Sequence, residues 1–329
     1  MQAVVLAGGE GTRLRPLTNT VPKPVLPLVN RPFLTYMIEW LAAHGFTEVV
    51  MSCMFLAGDI RRVLGDREWK GTRLHYVEEP EPRGTAGAIK FAEAVLDDRF
   101  AVLNGDILTD FDVSALWRAH DELDGRATIT LMEVEDPSAF GLVLRDSRDA
   151  VTDFIEKPQE APPGGAWVNA GAYVLEHDVL DLIPSDRPVS FEREVFPALV
   201  GDGLYGFPTE GYWLDIGTPE RYLEATHYLL KRSLAGDIAA GEACDIAAGA
   251  RVGPLTVLGD LCRVEDGAVV ERAVLFDKAQ VGRDAVVRDS VVGSGARIGP
   301  GSRLEGGTVV GDGAVIEAGA VLSGARVER

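Results

Sequence analysis

Three glycines, Gly8, Gly9 and Gly11, follow directly on the apolar run Val4-Val5-Leu6-Ala7, and Arg13, Arg15 and Lys23 lie within the next dozen residues. Residues without a Cβ let the backbone turn sharply and bring its N–H groups up to an anion. Cations gathered in one stretch of a chain whose formal net charge is -19 point to a phosphate group. Two common phosphate loops do not fit. A P-loop needs Lys-Ser or Lys-Thr after its glycines, and the dinucleotide fingerprint needs glycine where Leu14 stands. Further along, Leu103-Asn104-Gly105-Asp106 sets a carboxylate behind a glycine turn at a strand end, a hard oxygen ligand suited to Mg²⁺. Glu78-Glu79-Pro80-Glu81-Pro82-Arg83-Gly84-Thr85-Ala86-Gly87-Ala88 is an acidic, proline-rich loop whose Gly-x-x-Gly opens a helix. Glu156-Lys157-Pro158, Asn169 and Tyr212-Trp213-Leu214-Asp215 complete the set of polar groups that follow apolar runs.

The run from Val4 to Pro16, with Pro22-Lys23-Pro24, resembles the signature of the sugar-nucleotide pyrophosphorylases, and the later stretches repeat the resemblance in order over essentially the whole chain. Phe191-Glu192-Arg193-Glu194-Val195-Phe196-Pro197 is similar to a stretch of that family's mannose-1-phosphate guanylyltransferases, and its charges are read as structural. The resemblance implies a nucleotidyltransferase that joins a nucleoside triphosphate to a sugar 1-phosphate and releases pyrophosphate. An oxygen of the sugar phosphate attacks the α-phosphorus in line, so no protein nucleophile is needed. It also implies roles for residues. Leu6, Ala7, Gly8, Gly9, Gly11, Thr12 and Arg13 bind the nucleotide, with backbone around the phosphates. Arg13 and Lys23 neutralise charge, and Asp106 and Asp215 hold Mg²⁺. Gly141, Glu156, Lys157 and Asn169 hold the sugar phosphate. Glu79, with Gly84 and Thr85, reads the base, Glu78 and Glu81 being the alternatives if the register shifts. A carboxylate only accepts hydrogen bonds, so it suits the adjacent N–H donors of guanine and repels the carbonyls of uracil or thymine. Glu79 therefore favours GTP, with mannose 1-phosphate as co-substrate. Thymidylyl or uridylyl transfer to glucose 1-phosphate is the alternative. A non-catalytic regulatory subunit of this architecture is the alternative of another class, disfavoured because Arg13, Lys23, Asp106 and Asp215 are all present.

These residues need strands and helices to position them. Strands are expected at Val4–Ala7, Glu48–Cys53, Leu74–Val77, Phe100–Leu103, Ala127–Val134, Phe140–Leu144, Val151–Ile155 and Val168–Val174. Helices are expected at Phe33–His44, Ile60–Leu64, Phe91–Leu96 and Pro219–Lys231. The alternation reads as an α/β fold of Rossmann type with a mostly parallel sheet, whose ligands bind beyond the carboxyl ends of the strands. Beyond Gly236 aliphatic residues recur every six positions at Ile246, Val252, Leu258, Val264 and Val270. After a step of five they resume at Leu275, Val281 and Val287, and after another run from Val292 through Ile298, Leu304, Val310 and Ile316 to Leu322. Small residues often sit two positions earlier. This is a hexapeptide-repeat β-helix, by resemblance left-handed, of roughly four to five turns. The expected domains are residues 1–234, the nucleotidyltransferase, and 235–329, the β-helix.

The acidic charge argues against nucleic acid and anionic lipid as partners. No apolar run approaches the ~20 residues that cross a bilayer. Cys53, Cys244 and Cys262 are too scattered for a disulfide framework, and Met1 leads straight into the first strand without a signal peptide's features, so the expected location is the cytoplasm. None of the five histidines lies in the repeats, which disfavours a second, acyl-transferring site there. The β-helix is expected to serve regulation or association, and a homo-oligomer is expected through it or the catalytic domain.

Overall fold

The structure is a computed structural model that describes residues 1–9, 11–54, 57–159, 166–232 and 236–328. The expected domain boundary at 234/235 lies outside the described residues. Packing divides the chain into two compact units, one formed by Met1–Gly9 with Leu34–Trp213, the other by Glu10–Phe33 with Leu214–Arg329.

The first unit is built on a ten-stranded mixed sheet. Its strands are β1 (Gln2–Leu6), β2 (Glu48–Cys53), β3 (Thr72–Glu78), β4 (Arg99–Asn104), β5 (Ala127–Val134), β6 (Gly141–Arg145), β7 (Val151–Glu156), β8 (Ala166–Glu176) and β9 (Leu204–Pro208), with the short strand Glu68–Trp69 on the edge beyond β3. The order is β7-β6-β8-β4-β1-β2-β3, and β5 pairs with both β8 and β9. The centre, β4-β1-β2-β3, is parallel. Val4, Val5, Val49, Val50, Val102 and Leu103 are completely buried there, which is why these strands read as unbroken apolar runs. Beyond β4 the sheet turns antiparallel through β8, β6 and β7.

The helices are α1 (Phe33–Ala43), α2 (Ala57–Leu64), α3 (Gly84–Ala92) and α4 (Val113–Leu123). α3 starts at Gly84, where the Gly-x-x-Gly is read as opening a helix, seven residues before the apolar run expected from Phe91, and ends in a 3₁₀ turn, Glu93–Val95. Its first turns, Gly-Thr-Ala-Gly-Ala, carry little apolar periodicity because they pack through their backbone rather than through large side chains. α4 was not anticipated, although its signals stand in the sequence. Asp112 caps the Ala115 N–H at 3.0 Å, and Val113, Leu116 and His120 form its buried face.

His120 is completely buried. Its Nε2 faces Glu176 at 3.2 Å and its Nδ1 faces the Thr128 hydroxyl at 2.8 Å. A carboxylate only accepts, so Nε2–H donates to Glu176 and Nδ1 of the neutral ring accepts from Thr128. Burial lowers the imidazole pKa against the pull of Glu176.

The second unit carries a coil of parallel strands in three sheets of six, five and five strands. The hexad positions become its interior columns, except that Ile246, on the first coil, stands exposed. Leu258, Leu275, Val292, Val310 and Val327 pair in turn along one sheet. Val264, Val281, Ile298 and Ile316 line the second, and Val270, Val287, Leu304 and Leu322 the third. The two five-residue steps, Val270 to Leu275 and Val287 to Val292, shorten a corner and leave every column in register. Small residues two positions earlier, among them Ala268, Ala279, Ala285 and Ala296, are buried at the turns. The segment 11–33 packs with this coil: Thr20 donates to Asp312 at 2.6 Å and Asn30 to the Leu258 carbonyl at 2.7 Å. The helix α5 (Pro219–Arg232) completes the unit, its Tyr222 hydroxyl donating to the Pro27 carbonyl.

Replacing the fully buried Leu275 by alanine opens a cavity between two coils, and the denaturant midpoint is expected to report a loss of about 2–5 kcal/mol. For His120 the folded pKa lies below the ordinary imidazole value of 6.5, so the unfolded chain binds the extra proton first. Stability contributed by the neutral ring is full above that value and falls as pH drops below it, and urea titrations from pH 7 to 5 are expected to be steeper for wild type than for His120→Gln.

Candidate active site

The chain crosses from β3 back over β1 to β4, so the sheet's switch point lies between β1 and β4. The carboxyl ends there are level. Leu6 pairs with Asn104 on one side and Ser52 on the other, the Gly105 N–H donates to the Leu6 carbonyl at 3.0 Å, and the Ala7 N–H donates to the Ser52 carbonyl at 2.8 Å. Ala7 is buried, Gly8 is half-buried and Gly9 is exposed just beyond β1, and Asp106 stands half-buried just beyond β4.

Glu79 follows β3 and is buried, at 8 % exposure. Its carboxylate accepts from the Ser52 hydroxyl at 2.8 Å and from the Arg83 backbone N–H. Burial pushes its pKa up, and these two donors pull it back only in part. Gly84 opens α3 at φ +72° against the Val189 backbone, where a Cβ would meet the Val189 oxygen at 2.5 Å. The Ala86 and Gly87 N–H groups donate to that same oxygen, and the Val189 N–H donates to the Arg83 carbonyl. The loop that carries Glu79, Gly84 and Thr85 is thus clamped to residues 189–192.

Gly141 begins β6 against the Phe154 ring and the Glu156 carboxylate. Glu156 ends β7, and burial followed by the charge of Glu192 pushes its pKa up. Lys157 is exposed and takes φ +52°, left-handed backbone that costs a non-glycine residue about 1–3 kcal/mol. Asn169 is buried on β8, where the ladder to β5 shifts register between Asn169 and Tyr173. It donates to the Tyr173 hydroxyl at 3.1 Å and accepts from the Gly171 N–H at 2.9 Å. Glu192, read from sequence as structural, lies in this group and accepts from Thr85, Ser190 and Tyr173. The available signal was a run of charges set between the buried aromatics Phe191 and Phe196.

The second unit holds the other expected residues. Gly11 lies at φ +62° and Thr12 and Arg13 are exposed in a short 3₁₀ turn, whereas Lys23 is buried at 7 % exposure. The half-buried Asp215 faces three cations: Arg221 at 3.6 Å, Lys23 at 3.7 Å and Arg13 at 3.9 Å. A Cβ on Gly217 would meet the Arg13 guanidinium at 2.6 Å, so the end of Arg13 lies against the Gly217 backbone beside Asp215. Arg221 lies outside the Tyr212–Asp215 stretch, six residues past Asp215 on α5, so the motif gives no sign of it. Asp106 and Asp215 therefore fall one in each unit. Among the described residues no three or more acidic, histidine or cysteine side chains cluster as a metal cage. Mg²⁺ is held through one or two carboxylates together with substrate phosphates and water, and Asp106 and Asp215 each offer a hard carboxylate oxygen of the kind it takes.

The nucleotidyl transferase family model matches residues 2–232, and the GMPPB C-terminal domain model matches residues 234–328. The chain belongs to the nucleotidyl transferase family. It is 39% identical over 299 residues to the mannose-1-phosphate guanylyltransferase of Mycobacterium tuberculosis, a match covering 87% of this chain and 83% of that one. With the mannose-1-phosphate guanyltransferase of Candida albicans it shares 37% identity over 314 residues, 89% of this chain and 86% of the relative. The crystal structure of HddC from Yersinia pseudotuberculosis complexed with GMP-PN is 29% identical with a TM-score of 0.59, covering 69% of this chain and 99% of that one. This transferase is thus a nucleotidyltransferase with a β-helical carboxyl-terminal region, and no described helix is long and apolar enough to cross a membrane.

Gly84→Ala places a methyl group on the Val189 carbonyl in backbone that disfavours it. It is expected to cost at least about 1–3 kcal/mol in thermal or chemical unfolding and to weaken nucleotide binding by calorimetry.

Proposed function

We propose that the transferase converts GTP and mannose 1-phosphate to GDP-mannose and pyrophosphate. The observation that carries this reading is Glu79, a buried carboxylate at a strand end whose two donors leave acceptor capacity for a base edge. Guanine's ring N–H and exocyclic amine would offset the desolvation that burial imposes, whereas a pyrimidine carbonyl would add repulsion. The mannose-1-phosphate guanylyltransferase of Mycobacterium tuberculosis and the mannose-1-phosphate guanyltransferase of Candida albicans, to which the chain is similar over most of its length, support the same reading.

In this reading the N–H groups of Gly8, Gly9, Gly11 and Thr12 cradle the triphosphate, with Leu6 and Ala7 beneath the nucleoside. Arg13 and Lys23 neutralise charge as the α-phosphate is attacked, Asp215 holding both cations in place. Lys157 takes the sugar phosphate, and Glu156, Asn169 and the Gly141 backbone take hexose hydroxyls. Asp106 and Asp215 would hold Mg²⁺, which when bound neutralises phosphate charge and aligns the leaving pyrophosphate. Residues 1–234 act as the catalytic domain and 235–329 as a β-helix for regulation or self-association. Val315 and Val321, apolar and 61% and 72% exposed on the last coils, support the latter, which sedimentation would measure. A cytoplasmic location belongs to the same reading.

Pyrophosphate release measured with four nucleoside triphosphates against mannose and glucose 1-phosphates is expected to favour GTP with mannose 1-phosphate. Asp106→Asn is expected to abolish it, as is chelation of divalent metal, with recovery on adding Mg²⁺. Glu79→Gln is expected to move preference from GTP toward UTP or dTTP by roughly 5- to 150-fold. Clear preference of the wild type for a pyrimidine triphosphate would overturn the assignment of Glu79.

A further inference from the structure

Glu192 sits in a single π-helical turn, Phe191–Val195, a local geometry frequent at functional sites. The turn is secured by Ser190, whose hydroxyl accepts from the Arg193 N–H at 3.3 Å. One carboxylate oxygen of Glu192 accepts from Thr85 Oγ1 at 2.9 Å and from Ser190 Oγ at 2.6 Å. The other accepts from the Tyr173 hydroxyl at 3.4 Å, which in turn accepts from Asn169 Nδ2. Thr85 Oγ1 also accepts from the Phe191 N–H at 2.9 Å, so the link between α3 and this turn runs both ways. Tyr173 is completely buried, its ring packed on Phe191 and Phe196 at 5.8 and 4.9 Å between centroids. Two hydrogen-bonded paths, from the loop of Thr85 and from the strand of Asn169, thus end on one carboxylate.

We propose that Glu192 is a positioning residue whose carboxylate joins the base-reading loop at Thr85 to the sugar-binding strand at Tyr173 and Asn169, so that both substrate subsites are set by one group. This rests on the assignment of Thr85 to the nucleotide and of Asn169 and Glu156 to the hexose made above. A carboxylate is suited to the task because it only accepts, and three hydroxyl donors converge on it. An amide of the same shape presents an N–H to one of them, and alanine leaves all three to find other acceptors. Glu192 also lies close enough to raise the Glu156 pKa, behind burial as the larger cause, while Lys157 and Arg193 pull the other way.

The test is steady-state kinetics with both substrates varied, on wild type, Glu192→Gln, Glu192→Ala and Tyr173→Phe. Glu192→Gln and Glu192→Ala are expected to raise KM for the triphosphate and for the sugar 1-phosphate together, each roughly tenfold. Tyr173→Phe, which cuts only one path, is expected to raise the sugar-phosphate KM alone. A purely structural role would lower stability without raising both KM values, and in Glu192→Gln, with the charge beside Glu156 removed, the acid limb of kcat/KM for the sugar phosphate is also expected to shift to lower pH. Should Glu192→Ala fail to fold, the nearly isosteric Glu192→Gln still decides. A folded Glu192→Gln with both KM values and the acid limb unchanged overturns the proposal while leaving the functional reading intact. A wild type that releases no pyrophosphate from any substrate pair overturns that reading and this inference with it.

Discussion

The hydrogen bond from the Gly105 N–H to the Leu6 carbonyl, at the point where β1 and β4 part, is the contact from which the first unit's site follows. It ends the pairing of Leu6 with Asn104 and levels the carboxyl ends of the parallel strands. Every polar group of interest in the parallel part of the sheet then appears one or two residues further on: Gly8 after β1, Glu79 after β3 and Asp106 after β4. The interior of those strands is mainly aliphatic, with Val4, Val5, Val49, Val50, Val102 and Leu103 completely buried, so these polar groups gather at their ends.

Charge placed where water is scarce is the second recurring feature. Lys23 is buried and faces Asp215, which also meets Arg13 and Arg221. Glu79 is buried with only two donors, and Glu156 is desolvated beside a second carboxylate, Glu192. Buried charges of this kind are weak contributors to stability, because desolvation opposes their attraction. Groups perturbed in this way are frequent at functional sites, in keeping with membership of a nucleotidyltransferase family.

The β-helix solves a different problem by repetition. Each coil buries its aliphatic residues only against its neighbours, so register alone decides whether the columns stay closed. Leu275 beneath Leu258 and above Val292 shows that a corner one residue shorter is absorbed without disturbing a column. The unit also holds the segment of Arg13 and Lys23, through contacts such as Thr20 to Asp312 and Asn30 to Leu258. The polypeptide that carries two of the expected catalytic cations is therefore braced by the repeats.

Local composition alone determined much of this protein. Aliphatic residues at a six-residue spacing admit only a coil with an inward column, and the two five-residue steps were visible as such. The unbroken apolar runs at Val4, Val49 and Val102 marked buried parallel strands, because periodicity and burial are properties of a few neighbouring residues. The glycine loop and the isolated acids were legible for the same reason. Tertiary structure decided what depends on residues far apart. The apolar pattern of α3 did not reach back to Gly84, where glycines alone signalled its start, because its first turn packs through backbone on Val189, a partner more than a hundred positions away. Arg221 joined Asp215, Lys23 and Arg13 only once α5 was placed. Glu192 looked like one charge among several until the fold brought Thr85 and Tyr173 to its two oxygens, since hydrogen bonds across such separations leave no spacing in the sequence to read.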